Sequence, residues 1–141
     1  MERFLAIGLC LVLLAIGLLR SGVGVIVLGE ALGWWTMGGE APLAVAETGE
    51  FIQAAPANLI GFSVTGYFAF LLGMGLALSL GAAAQIWRRG WGMGLIIAYL
   101  AAHAFLFVNF MTINPKVGFL AAVALLAGLL AWANKPDPAQ S

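Results

Sequence analysis

Ile86-Trp87-Arg88-Arg89-Gly90-Trp91 is a short basic turn set between two long uncharged runs, and its reading decides the fold. Arg88 and Arg89 are the only adjacent basic residues in the chain. From residue 51 to 87 and from 90 to 115 no Asp, Glu, Lys or Arg occurs, so each flank can cross a bilayer without exposing a charge. The turn itself must stay in water. Loops carrying Lys and Arg are retained on the cytoplasmic side, so the turn is expected to be cytoplasmic, with both neighbouring helices running outward from it.

Composition agrees. The chain has 141 residues, 63% of them hydrophobic and 9% charged, with a mean hydropathy of +1.05, well outside the range of soluble domains. An integral membrane protein of one domain with about four spans is expected. The net charge is zero and no basic run exceeds two residues, which removes the electrostatic basis for a nucleic-acid partner. Cys10 is the single cysteine, lies inside an apolar run and reads as a small buried hydrophobe.

The predicted spans are residues 4–28, 57–86, 91–111 and 115–133, with an outer acidic loop at 30–56. The first run is long for a secretory signal and has no small-x-small cleavage site before Arg20, so it is expected to be retained. Arg20 would lie about 24 Å along a helix starting at Phe4, near the far headgroup layer, where its stem can snorkel outward. The alternative is a buried Arg20 paired with a carboxylate in a cavity. Ser21, Gly22 and Gly24 follow and are expected to break the helix.

In the acidic loop, residues 43–55 can form a short interfacial helix or re-enter the membrane. Glu47 and Glu50 would share one face of it as a solvated acidic surface rather than a metal site, since no His or Cys accompanies them. Pro56 and Asn58 suit the opening of the second span, predicted to be about 45 Å long. Along it Ala69, Gly73, Ala77 and Gly81 recur every fourth residue, a spacing that lets a second backbone approach. Gly94 and Ala98 begin a similar stripe on the third span. Arg3, Arg88, Arg89 and Lys135 then fall on the cytoplasmic side, against Arg20 and Lys116 outside, which places both termini in the cytoplasm.

Intramembrane polar groups are few, and each is a candidate for function. His103 is the sole histidine, with Tyr99 and Phe107 one turn to either side. It could bond another helix, handle a proton or substrate, or ligate haem. Asn58, Ser63 and Tyr67 gather in the outer part of the second span and Asn109 in that of the third. With Arg20 they make the outer half more polar, so either a small outward-facing pocket or interhelical hydrogen bonding is expected there. No nucleotide loop, catalytic triad or zinc spacing is present. No enzymatic activity, metal or cofactor is therefore predicted.

Asn58-Leu59-Ile60-Gly61 at the opening of the second span, Arg88-Arg89 between the second and third, and the short turn before the fourth resemble the layout of small four-helix bacterial inner-membrane proteins, including DoxX-like families. The resemblance implies a compact all-α, four-helix membrane bundle and carries over no functional residue. The expected role is that of an accessory, assembly or interaction protein, self-associating or joining a larger complex through small-residue helix faces. An oligomeric transporter or channel, or a haem- or quinone-associated redox module, are the alternatives.

Overall fold

A computed structural model describes residues 2–54, 59–112 and 115–134. Its elements are all helical: α1 (Glu2–Ala31), α2 (Glu40–Ala54), α3 (Val64–Ile86), α4 (Trp91–Phe110) and α5 (Lys116–Ala133). Four of them, α1, α3, α4 and α5, are long and apolar enough to cross a membrane, which points to a multi-pass membrane protein. Only 17% to 44% of each apolar stretch is buried within the chain, so most of its apolar surface faces outward, as suits lipid and not water. Trp87, Trp91 and Trp132 mark the end of the bundle that carries Arg88 and Arg89, and Trp34 and Trp35 the opposite end.

Two helix boundaries correct the expected spans. α1 does not break at Ser21-Gly22-Gly24 but continues to Ala31. Ser21 Oγ donates to the Gly17 carbonyl at 2.9 Å, so its hydroxyl is satisfied inside the helix. A Cβ built on Gly24 would lie 3.1 Å from the Leu72 backbone, so packing against α3 outweighs the weak helix preference of glycine. The second correction is that α3 starts at Val64, not near residue 57. Asn58 lies outside the described residues. The over-long helix is thus α1: its 30 residues span about 45 Å, against a hydrocarbon core of about 30 Å. It must tilt or protrude.

The most extensive packing is an antiparallel seam between α1 and α3, made by the same Gly-x-x-x-Ser pattern on each. A Cβ on Gly17 would meet Ser79 Oγ at 2.5 Å, and one on Gly75 would meet Ser21 Oγ at 2.7 Å. Ser79 Oγ donates to the Gly75 carbonyl at 2.9 Å, as Ser21 does to Gly17, so both hydroxyls are satisfied while the surfaces stay small. Of the predicted small-residue stripes, Gly81 meets Gly92 of α4, with its built Cβ 2.9 Å from the Gly92 carbonyl oxygen. Ala77 is half-buried, and Gly73, Gly94 and Ala98 face outward.

Below that seam, toward the basic turn, the core is closed. Cys10, Leu13, Leu78, Ile96 and Leu130 fill it from four helices and are at most 2% exposed. At the same end Asn134 Nδ2 donates to Gln85 Oε1 at 3.2 Å, tying the end of α5 to α3. The other end is held differently. Trp35 donates its indole N–H to the Ile26 carbonyl at 3.1 Å, and Glu30 accepts from the Met37 amide at 2.9 Å, which fixes the turn from α1 to α2.

Candidate functional site

α2 is the expected short helix of the acidic segment, and it buries no residue completely. Its Phe51 ring packs on Phe110 of α4 at 5.0 Å, so that side turns toward the bundle. Between α2 and the ends of α1, α3, α4 and α5 remote from the basic turn lies a cavity of about 820 Å³. Arg20, Tyr67 and His103 supply polar groups to it. Val23, Val27, Leu71, Leu106 and a set of phenylalanines make the rest largely apolar.

Arg20 defines the floor. It does not snorkel outward, and about 16 Å of helix separate it from Ala31 at the end of α1. Its side chain instead turns inward, and Nη1 donates to the Tyr99 hydroxyl at 3.3 Å. The guanidinium carbon stands 5.6 Å from the Tyr99 ring centre and 5.8 Å from that of Phe119, within the range of cation–π attraction. These partners are a hydroxyl and two ring faces, not the carboxylate that a buried Arg20 was expected to find. Among the described residues, the buried Arg20 Nε has no hydrogen-bond partner.

Tyr99 carries the contact onward. Its oxygen lies 3.3 Å from His103 Nδ1. Arginine can only donate, so the Tyr99 oxygen accepts from Arg20. Phe107 stacks on the His103 ring at 5.6 Å and 17°, and Phe119 flanks it at 6.0 Å. His103 is therefore fixed by its neighbours on α4 and α5, and its 2% exposure is onto the cavity.

The structure separates the other predicted polar residues. Tyr67 lines the cavity, with its ring edge-on to Phe110 at 5.8 Å. Asn109 does not take part. It is fully buried and clamps the backbone of Ile60, accepting from its amide at 2.7 Å and donating to its carbonyl at 3.2 Å. Ser63 is exposed and caps α3, accepting from the Gly66 amide at 3.0 Å. Ser63→Ala should therefore lower stability by about 1 kcal/mol, read as a thermal midpoint in detergent, and leave the cavity unchanged.

The acidic pair also divides. Both Glu47 and Glu50 are exposed, but only Glu47 borders the cavity, together with Lys116 from the start of α5. Among the described residues no group of three His, Cys, Asp or Glu is placed to hold a metal ion. Tyr99 is the residue that sequence reasoning missed. Its position one turn from His103 was visible, but its contact with Arg20 joins α1 to α4 across a long stretch of chain.

Comparison with protein-family models, curated proteins and solved structures finds no match to this chain. The resemblance to DoxX-like families accordingly stays one of layout.

Proposed function

We propose that this is a multi-pass protein of the bacterial inner membrane that binds a small amphiphilic molecule in its cavity. In this reading both termini and the Arg88-Arg89 turn are cytoplasmic, so the cavity belongs to the outer half of the bundle. The observation that carries the proposal is a mostly apolar cavity of about 820 Å³ with convergent polar groups at its floor, a volume and composition typical of small-molecule sites. The closed core beneath Arg20 favours a blind binding site over a continuous channel.

Native mass spectrometry of the protein purified from its membrane in mild detergent tests this. A retained small molecule is expected, and it should be lost in Val27→Trp, which fills the cavity, but kept in Gly73→Leu on the outer face. The absence of any adduct, together with no stabilisation by added amphiphiles, would remove the proposal.

A second reading, an accessory subunit of a larger membrane complex, is favoured by Gly73, Gly94 and Ala98. These small residues lie outward, where another helix could approach closely.

A further inference from the structure

At the cavity floor, Arg20 is one-sided in its hydrogen bonding. Arg20 offers only donors. Tyr99 accepts one of those hydrogens, and its oxygen lies 3.3 Å from His103 Nδ1. A headgroup seated against Arg20 must therefore bring acceptors.

The charge is one-sided as well. Among the described residues, Arg20 contacts the Tyr99 hydroxyl and the faces of Tyr99 and Phe119, and its buried Nε has no hydrogen-bond partner. A cation enclosed by apolar groups is costly until a counter-charge is supplied. Lys116 and Glu47, of opposite sign, both border the cavity and add no net charge to it. The floor charge is left to be met by whatever binds.

We infer that the ligand is an amphiphile with an acidic headgroup, a carboxylate or a phosphate, held at Arg20, with its apolar tail along Val23, Val27, Leu71 and Leu106. A planar guanidinium matches the oxygen pair of either headgroup. The tail takes the apolar wall that a free inorganic anion would leave empty. This inference rests on the cavity being a ligand site, as proposed above, and adds the chemistry that the site selects.

The test uses the full chain in a neutral detergent, with dodecanoate, dodecyl phosphate, dodecanol and inorganic phosphate as probes. The readout is the concentration of each that gives half its maximal shift in melting temperature. The two acidic probes are expected to act at concentrations at least tenfold lower than dodecanol, and inorganic phosphate to give no shift. Arg20→Gln should abolish the acidic preference while leaving the dodecanol value within threefold, and Arg20→Lys should retain part of it. Val27→Trp should lose the response to all three dodecyl probes.

If dodecanol matches the acids on the wild-type protein, the headgroup assignment falls and the cavity remains a ligand site. If no probe binds, both fall. A shift with inorganic phosphate alone would replace the amphiphile with a free anion. The wild-type comparison decides the matter even if Arg20→Gln does not fold.

Discussion

Gly75→Leu is expected to break the bundle open, whereas Gly73→Leu on the same helix is expected to leave its stability within about 0.5 kcal/mol of the wild type. The difference follows from what each side chain would meet. A Cβ at Gly75 would lie 2.7 Å from Ser21 Oγ and 2.8 Å from the Ser21 backbone nitrogen, while one at Gly73 has nothing within 4 Å. The hydroxyl could move, but the nitrogen belongs to α1 and can yield only if the two helices separate. Overpacking of this kind costs about 1–3 kcal/mol and sometimes more, and here it strikes the most extensively packed helix pair. In lipid, close approach supplies much of the attraction between helices, so little remains to hold α1 against α3 once the seam is opened. Ser21→Gly in the Gly75→Leu background should restore only part of the loss, because it removes the oxygen and leaves the nitrogen. Thermal midpoints in mild detergent, followed by near-ultraviolet circular dichroism, measure all three variants. Equal midpoints for Gly75→Leu and the wild type would refute the seam.

The same seam shows what could and could not be read before the structure. The uncharged runs and the basic turn gave the four long helices, because every charge in a bilayer-spanning segment is costly and the gaps between charges are visible in one dimension. The choice of packing face was not visible. When lipid and protein interior are both apolar, no polar face tells a helix which side is inward, and a repeat of small residues every fourth position occurs on more than one side of α3. The stripe through Gly73 and Ala77 was the more regular, yet Gly75 and Ser79 are the residues that meet α1. Their match to Gly17 and Ser21 was a usable signal, since the same five-residue Gly-x-x-x-Ser motif appears on two helices. Polar residues were easier to notice than to assign. Arg20, Tyr67 and His103 do border one cavity, but Ser63 is a cap and Asn109 a backbone clamp. Those roles depend on where α3 begins, and Pro56 and Asn58 suit a helix start as well as Ser63 does.

Replacing both turn arginines, as Arg88→Gly with Arg89→Gln, is expected to cost the protein its single orientation without costing it the fold. The proposed cytoplasmic side holds Arg3, Arg88, Arg89 and Lys135 against Arg20 and Lys116 on the other. Removing the pair leaves two basic residues on each side, and the bias that sets orientation disappears. The choice of glycine at residue 88 keeps the test clean. Arg88 has φ of 57°, a left-handed conformation that costs a residue with a Cβ roughly 1–2 kcal/mol and glycine almost nothing. The turn should therefore form at least as readily in the variant, and helicity and melting behaviour should persist. Sidedness can be read with Gly90→Cys, since residue 90 is exposed and a Cβ there meets nothing within 4 Å, while the native Cys10 is only 2% exposed and should react slowly. A membrane-impermeant maleimide should spare this cysteine in intact cells and label it in inverted vesicles when both arginines are present. With the arginines replaced, both preparations should label. Labelling of the arginine-bearing turn from outside intact cells would invert the proposed orientation and place the cavity, with Arg20 at its floor, in the cytoplasmic half.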